Sequence, residues 1–383
     1  MKAILPWIRD FFRKADMVLL VLCLVCTIFG LVLISSATKN MEGGSFSFLF
    51  VQSFALLLGL GFFVVFSIID IDFFADKWGL LLALEVGLML LLIPFGIGAD
   101  ETGNRGWIRF LGIGIQPSEI VRVIYIILMA KHISALRSRR QLDNVFSVAQ
   151  LVAHFGFIFA LIIFISSDLG SALVFAFIFA IMLFVAGLKL RWFAIGIASV
   201  AAVVPFVWNN FLREDQKNRI LAPYIPDVVD PTGFGITWQV NNSKLALASG
   251  QFTGVGLYNG TQSQSASIPG KHTDFIFAVC GEELGMLGCL VIIALLLAIV
   301  IRCVYIGLKS NNTMNMLVCF GVAAGLFFQT FENIGMCTGI LPVVGLTLPF
   351  FSYGGSSIFS TFAAVGLVSG IKYRPKPERF HSL

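Results

Sequence analysis

Charged residues, histidine and cysteine are all scarce in this sequence. Asp, Glu, Lys and Arg make up only 12% of 383 residues, whereas soluble globular domains contain about a quarter. The shortage excludes an ordinary water-soluble domain, and the net charge of +5 gives no sign of a nucleic-acid surface. The four histidines and seven cysteines show no zinc or haem spacing. Cys23 and Cys26 have a redox spacing, but inside an apolar run they are interpreted as packing residues.

Long apolar runs are what the sequence has instead. Hydrophobic residues make up 58% of the chain and the mean hydropathy is +0.92. A membrane span needs about 20 apolar residues, with every backbone amide bonded inside the helix. The sequence therefore predicts an all-α polytopic membrane protein, a single membrane domain over residues 1–383 with about ten transmembrane helices. The predicted spans lie near residues 17–36, 48–69, 78–98, 119–136, 146–166, 171–188, 193–210, 286–307, 314–332 and 357–372.

The distribution of Lys and Arg predicts the orientation, because basic loops stay in the cytoplasm. Ten spans place both termini on one side. That side holds seventeen basic residues and the other side eight, while Arg122 lies within a span. We therefore expect a multi-pass protein of the cytoplasmic membrane whose segments 1–16 and 373–383 are cytoplasmic. Residues 211–273 then form a large extracytoplasmic loop between helices 7 and 8.

This outer loop is unusually long and rich in glycine and small polar residues, as in Asn259-Gly-Thr-Gln-Ser-Gln-Ser265. Such backbone suits a segment that closes over a ligand, although a merely flexible loop has the same composition. Apolar residues within the loop, such as Leu245 and Phe252, favour a segment folded onto the membrane surface.

Asp274 marks the point where the outer loop becomes an apolar helix. Asp is among the best residues for a helix N-cap, and the same carboxylate would lie at the membrane–water interface beside Lys271 and His272. Both roles are compatible. Glu282 and Glu283 lie about 12–14 Å further along a helix, so they are not expected to form a close carboxylate pair with Asp274. Glu85, Glu119, Asp168 and Glu332 are further ionisable residues in or beside predicted spans, where such groups are functional or paired.

Five separated segments resemble the SEDS family (shape, elongation, division and sporulation), which includes RodA, FtsW and SpoVE. They are Gly103-Asn-Arg-Gly-Trp-Ile-Arg-Phe110 with Gln116-Pro-Ser-Glu119; Asp168-Leu-Gly170; Gly260-Thr-Gln-Ser-Gln264; His272-Thr-Asp-Phe-Ile-Phe277 with Glu282-Glu283-Leu-Gly285; and the long segment from Asn333 to Ser357. The similarity extends from the first span to the last. One departure is Arg122, where the family commonly has Lys; the charge is kept but the geometry changes.

The resemblance implies a peptidoglycan glycosyltransferase that polymerises lipid II on the outer face of the membrane. Asp274 is the implied catalytic base. Arg105, Arg109, Lys244 and Lys271 are candidate cations for the diphosphate, with a divalent metal (Mg²⁺ or Mn²⁺) as an alternative and no organic cofactor. The remaining substrate-binding candidates are Glu119, Arg122, Asp168, His272, Ser352 and Tyr353. Glu119 and Arg122 are also expected to pair, since they are spaced i, i+3 on a helix.

Asn259-Gly-Thr-Gln-Ser-Gln264 and Asn333-Ile-Gly-Met336 resemble the RodA branch more than the division branch, which implies a role in cell elongation and shape. The implied partners are lipid II, a class B penicillin-binding protein and other membrane proteins of the elongation complex, with no nucleic acid. The division-branch polymerase is an alternative. A lipid II flippase is another, because Glu85, Glu119 and Asp168 would give the headgroup a polar path. A non-enzymatic scaffold would have no use for the polar outer loop.

Overall fold

The computed structural model describes residues 11–12, 15–41, 44–98, 104–110, 113–210 and 212–373. Most of the two predicted cytoplasmic segments, residues 1–10, 13–14 and 374–383, lies outside the described residues. Helices precede the outer loop as follows: α1 Met17–Ala37, α2 Gly44–Ile68, α3 Ile71–Asp76, α4 Trp78–Leu90, α5 Leu92–Phe95, α6 Pro117–Ser138, α7 Val145–Leu161, α8 Leu169–Ala186 and α9 Leu190–Asn210. A π-helix, Ile162–Ser166, extends α7.

The outer loop and the last spans complete the fold. Their helices are α10 Glu214–Leu221, α11 Pro226–Val229, α12 Trp238–Gly250, α13 Thr261–Gln264, α14 Ile276–Lys309, α15 Thr313–Thr338 and α16 Gly355–Tyr373. A short antiparallel hairpin, β1 Ile108–Phe110 and β2 Ile113–Ile115, lies between α5 and α6.

Helices occur at all ten predicted span positions, which confirms the predicted fold class. Within the described residues, eight helices are long and apolar enough to cross a membrane by composition alone. The other two predicted spans are α6, of 22 residues, and α16, of 19 residues. Most of their side chains are buried against neighbouring helices. Because protein rather than lipid surrounds these two helices, they tolerate polar residues that a lipid-facing span does not.

Small residues allow α2 and α16 to pack closely. A Cβ on Gly366 would lie 2.7 Å from the carbonyl oxygen of Phe63, and one on Gly370 would lie 2.8 Å from that of Ser67. The Ser67 hydroxyl donates a hydrogen bond to the Gly366 carbonyl at 3.1 Å. Glycine and serine bring helix backbones together in this way where no hydrophobic effect operates between helices in lipid.

The outer loop packs against the membrane helices rather than extending from them. The Ser243 hydroxyl on α12 donates to the carbonyl oxygen of Cys337 on α15 at 2.7 Å. A Cβ on Gly250, at the end of α12, would lie 1.8 Å from the carbonyl oxygen of Gly281 on α14, so this contact requires glycine. The loop therefore forms a folded cover over α14 and α15.

Helix α14 begins ten residues before the predicted span and is broken at Gly285, where φ is 69° and ψ is −166°. The break frees backbone groups that lipid cannot satisfy, and the outer loop supplies their partners. The Met286 amide donates to the Gln251 carbonyl at 2.9 Å, and the Val255 amide donates to the Glu282 carbonyl at 3.0 Å. Residues 250–256 of the loop thus replace one turn of the helix.

Candidate active site

Asp274 lies in the turn that connects the outer loop to α14. The N-cap position of α14 is Phe275, and no side chain caps the helix there. The predicted N-cap role of Asp274 is therefore wrong: α14 starts one residue too late for it. Among the described residues, none donates a hydrogen bond to the Asp274 carboxylate, which is half-buried. Its Oδ2 lies 3.7 Å from where a Cβ would stand on Gly345.

Two side chains hold the backbone of this turn. The side-chain amide nitrogen of Asn333 (Nδ2) donates to the carbonyl oxygens of Asp274 and Leu346, each at 2.7 Å. The Ser352 hydroxyl donates to the Thr273 carbonyl at 2.6 Å. Both side chains belong to the segment from Asn333 to Ser357, which therefore fixes the position of the carboxylate.

Ser352 and Tyr353 contact the turn in different ways. Ser352 is only 3% exposed, and its hydroxyl also accepts a hydrogen bond from the Leu348 amide at 2.8 Å. This hydroxyl is occupied by backbone, so the structure gives it a positioning role. Tyr353 donates its backbone amide to the His272 carbonyl at 2.8 Å. Its ring lies 5.6 Å from the His272 ring and 5.2 Å from Phe48.

Asp168 caps α8. Its Oδ1 accepts from the Ser171 amide at 2.9 Å, and its Oδ2 accepts from the Ser171 hydroxyl at 2.7 Å. The Gln116 side-chain amide donates to the same Oδ2 at 2.9 Å. Gly170 packs against the Val344 carbonyl, which brings Asp168 close enough to Asp274 for their charges to interact.

The surroundings of Asp274 disfavour its ionised form. Removal from water raises the pKa of Asp274, and the negative charge of Asp168 raises it further, to about 6. A carboxylate whose pKa lies near neutral pH is well matched to general base catalysis. A large fraction of it is ionised at that pH, and the ionised form still binds a proton strongly. Asp274 and Asp168 thus form a pair of unlike carboxylates, one hydrogen-bonded and one free.

Lys271 and His272 flank the turn but are not free cations. The Lys271 ammonium donates to the carbonyl oxygens of Ser263 and Ser265 at 2.6 and 2.7 Å, and it is 5% exposed. Burial lowers the pKa of Lys271, which the nearby glutamates partly offset. Burial and the Lys271 charge lower the pKa of His272 to about 4, so His272 is neutral at physiological pH.

The two glutamates near Lys271 anchor the outer loop. Glu282 accepts from the backbone amides of Gln262 and Ser263 at 2.8 and 2.7 Å. Glu283 accepts from the Ser36 hydroxyl at 2.7 Å. The helical spacing predicts that Glu282 and Glu283 do not form a close carboxylate pair with Asp274, and in the structure they bind the outer loop and α1 instead.

Glu119 and Arg122 form the predicted pair near the start of α6. The guanidinium donates to both carboxylate oxygens, at 2.6 and 3.3 Å, and both side chains are nearly inaccessible. Glu119 also accepts from Gln329 and from Ser360, each at 3.3 Å. The pair therefore joins α6 to α15 and α16, and its role as a substrate contact stays a prediction.

The remaining predicted cations are exposed. Arg105 lies just before the hairpin and Arg109 lies in its first strand, and both side chains are accessible. Lys244 is also exposed, and its chain passes over Gly339. It lines a pocket of about 50 Å³ together with Arg219, Asn241 and Val343. Val343 lies two residues before Gly345, where a Cβ would stand 3.7 Å from the Asp274 carboxylate, so one short segment connects this basic pocket with the candidate site.

Sequence reasoning missed several residues that build the site. Gln116, which binds Asp168, and Asn333, which holds the Asp274 carbonyl, stand out in the sequence only as parts of motifs. Gln52 is not among the predicted site residues, although its side chain binds the Ser352 carbonyl and the Gly354 amide at 3.0 and 3.1 Å. A buried amide in an apolar span was the available signal, since such groups need partners. Arg219, which lines the basic pocket, contributes to the sequence prediction only as one of the basic residues that indicate the orientation.

A divalent metal has few ligands here. Over the described ranges, no group of three His, Cys, Asp or Glu side chains is placed to hold a metal ion. Asp168 already accepts three hydrogen bonds, which leaves Asp274 as the free carboxylate beside it. A metal cofactor stays a prediction.

Comparisons with known proteins match almost the whole chain. A family model described as cell cycle protein, FTSW_RODA_SPOVE, matches residues 16–376. The probable peptidoglycan glycosyltransferase FtsW of Geobacter metallireducens is 35% identical over 373 residues, which cover 95% of this chain and 96% of the relative. The peptidoglycan glycosyltransferase MrdB of Escherichia coli K12 is 34% identical over 284 residues, 74% of this chain and 75% of the relative.

Solved structures share the fold. One chain, from work on the structural coordination of polymerization and crosslinking by a peptidoglycan synthase complex, matches with a TM-score of 0.76 and 28% identity, over 94% of this chain and 97% of that one. The rod shape determining protein RodA of Thermus thermophilus matches with a TM-score of 0.67 and 25% identity, over 94% and 96%. The chain therefore belongs to the FtsW, RodA and SpoVE family of membrane-embedded peptidoglycan glycosyltransferases, which confirms both the resemblance and the predicted enzyme class.

Proposed function

We propose that this protein polymerises lipid II into glycan strands on the outer face of the cytoplasmic membrane, with Asp274 as the catalytic base. The observation that carries the proposal is the Asp274 carboxylate. It is held by its backbone, is free of side-chain hydrogen bonds among the described residues, and has a pKa raised to about 6. It lies where a polar loop meets a membrane helix, the place where a lipid-linked sugar presents its headgroup.

The reaction balances with one base. The 4-hydroxyl oxygen of one sugar forms a bond to the anomeric carbon of another, and the bond from that carbon to the diphosphate oxygen breaks. The hydroxyl proton passes to Asp274, and the bonding electrons leave with undecaprenyl diphosphate. A diphosphate leaves without an acid where cations neutralise it, so the acid–base pair of glycosidases is not required. One positioned carboxylate suffices.

Arg105 and Arg109 are the cations best placed to meet a diphosphate, because both are exposed, Arg109 on the short hairpin and Arg105 just before it. The Arg105 amide also bonds to the Ser166 carbonyl at 2.9 Å, two residues before Asp168. Replacing both arginines with Gln is expected to weaken lipid II binding about tenfold or more, since charge-assisted bonds to phosphate are the strong ones. Binding of labelled lipid II to protein in nanodiscs measures this effect.

The matched control for the arginines is the replacement of Arg213 by Gln, at an exposed position in the outer loop. This control should bind lipid II as the wild type does. Unchanged affinity in the Arg105 and Arg109 double variant would mean that the two side chains only contact lipid headgroups.

Asp168→Asn is expected to shift the acid side of the pH–rate profile. The base works only when ionised, so the rate should fall as pH drops through about 6, the pKa of Asp274. Asn still caps α8, but it removes the negative charge that raises the Asp274 pKa. The fall in rate on the acid side of the profile, here called the acid limb, should move to lower pH by up to about 1 unit. An unmoved limb, or one moved to higher pH, would contradict the coupling of the two carboxylates.

The elongation branch is the finer part of the proposal. It is supported by the segments 259–264 and 333–336 and by the fold of RodA from Thermus thermophilus, while relatives of similar identity are named FtsW and MrdB. A class B penicillin-binding protein is the proposed partner, supported by the similar chain from a complex that couples polymerization to crosslinking. Expression in cells depleted of either the elongation or the division polymerase tests the branch: rescue of cell shape supports it, and rescue of division alone overturns it.

The direct test of function is purified protein with labelled lipid II in detergent, alone and with a candidate transpeptidase, read out as glycan chain length. Detergent removes the two sides of the membrane, so a flippase gives no signal in this assay. Long glycan strands are the expected product. A folded protein that binds lipid II but makes no strands under any partner condition would overturn the proposal.

A further inference from the structure

A second cluster of titratable side chains lies inside the membrane, away from Asp274. Glu85 on α4 is fully buried, and within the described chain neither carboxylate oxygen has a hydrogen-bond partner. An ionised carboxylate in this setting costs several kcal/mol unless it is paired. Glu85 therefore requires a proton or another group that the fold must provide.

Two other buried polar atoms face the same region. The Tyr125 hydroxyl on α6 and the His154 Nε2 on α7 also lack partners in the described part of the protein. The Tyr125 and His154 ring centroids are 5.9 Å apart, and Tyr125 lies within electrostatic range of Glu85. Tyr125 is thus a neighbour of both Glu85 and His154, and all three groups lack partners in the described residues, although buried polar groups are nearly always hydrogen-bonded.

A second histidine connects this place to one end of the helix bundle. The Nδ1 atoms of His132 and His154 are 3.4 Å apart, and His132 lies beside Gln150, which is exposed. His132 is fifteen residues after Pro117 on α6, about 22 Å along the helix from the end that adjoins Asp168. The histidine pair therefore leads away from the catalytic side, toward the opposite face of the membrane.

The basic groups on the neighbouring elements are already engaged. Arg122 is bound to Glu119 on its own helix. The Lys131 ammonium donates to the Ala75 carbonyl at the end of α3. Lys77, at the start of α4, lies over the Phe73 ring at 4.2 Å. No basic side chain among the described residues donates to Glu85, and a proton is the counter-charge that the neighbouring groups can deliver.

We propose that Glu85, Tyr125 and His154 form a proton-binding site in the membrane interior, which is loaded through His132 from the face opposite Asp274. Imidazole suits this transfer because its two nitrogens are distinct. A proton that reaches His154 Nδ1 from His132 gives an imidazolium, which releases its Nε2 proton to the Glu85 carboxylate. The product is a neutral acid whose O–H can donate to the Tyr125 oxygen, and His154 returns to a neutral tautomer.

Infrared spectroscopy of the full-length protein in nanodiscs at about pH 7 tests the site, because a protonated carboxyl has its own C=O stretch. That band should disappear in Glu85→Gln and shift in frequency in Tyr125→Phe and in His154→Phe. The control Asp143→Asn, at a carboxylate paired with Lys189, should keep the band. Thermal unfolding shows which variants are folded. The site would be overturned if a folded Glu85→Gln protein kept every C=O band of the wild type. It would also be overturned if the band stayed at the same frequency in the Tyr125 and His154 variants.

Deuterium exchange tests the route. Transfer to D₂O shifts the C=O band of an exchanged acid, and its rate reports how fast the proton is replaced. His132→Phe should slow that exchange about tenfold or more relative to wild type, while the band itself persists. Equal exchange rates in the two proteins would show that protons reach Glu85 by another path and would overturn the loading through His132.

Discussion

Asp274→Asn is expected to lower the rate of glycan formation by about 10²–10⁴-fold, the typical cost of losing a general base. The amide cannot accept the hydroxyl proton. The rest of the site should persist, because Asn333 and Ser352 hold the backbone of the turn rather than the Asp274 side chain. Lipid II polymerisation by purified protein, compared with wild type at equal folded concentration, measures the effect.

Stability separates a chemical role for Asp274 from a structural one. Burial and Asp168 raise the pKa of Asp274 to about 6, so the fold favours the protonated carboxyl. That contribution is present at low pH and is lost as pH rises through about 6. At about pH 8, Asp274→Asn should therefore have a Tm equal to or above that of wild type. A lower Tm at this pH would assign Asp274 a structural role.

The matched control is Asp227→Asn, the same substitution at an exposed carboxylate of the outer loop. It should leave both the rate and the Tm unchanged. A folded Asp274→Asn protein that made strands at the wild-type rate would remove Asp274 from the chemistry and would leave the proposed reaction without its base.

The membrane spans could be predicted from composition because the bilayer imposes one length and one polarity on each of them. The break in α14 could not. Hydropathy averages over side chains and does not register a φ of 69° at Gly285, and the partners of the freed backbone come from residues 250–256 of a distant loop. The predicted N-cap role of Asp274 is wrong for a related reason: the residue at which a helix starts depends on tertiary contacts, and α14 has Phe275 at its N-cap.

The candidate base was predictable because Asp274 lies in a specific motif at a change from polar to apolar sequence. Its environment was not. The raised pKa depends on Asp168, which α8 brings near through the contact of Gly170 with the Val344 carbonyl. The sequence predicts that Ser352 binds substrate, which stays a prediction, and the structure adds that its hydroxyl donates to the Thr273 carbonyl. Backbone acceptors have no signature in sequence, so this second contact could not be predicted.

Glu119→Ala is expected to destabilise the protein by about 3–5 kcal/mol, the usual cost of leaving one charge of a buried ion pair without its partner. Arg122 is only 6% exposed, so its guanidinium would stay buried without its counter-ion. Gln329 and Ser360 would also lose an acceptor. Chemical unfolding in detergent measures the loss, and polymerisation should fall with the folded fraction.

The pair of Glu214 and Lys217 is the matched control, since it has the same i, i+3 spacing and a 2.8 Å contact, with Glu214 80% exposed and Lys217 17% exposed. Glu214→Ala should cost only about 0–1 kcal/mol. A similar cost at both positions would mean that burial does not strengthen the Glu119 pair and would contradict its assigned role.

A double replacement separates positioning from substrate contact. Glu119→Leu combined with Arg122→Met removes both charges and keeps apolar volume, which is often neutral or stabilising for a buried pair. If the pair only positions α6, so that Gln116 reaches Asp168, the double variant should recover both stability and most of the polymerisation rate that Glu119→Ala loses. If the pair binds the headgroup of lipid II, stability should return while the rate stays low and the KM for lipid II rises. We expect the first result, because the guanidinium and carboxylate already bind each other, Gln329 and Ser360 within the helix interfaces.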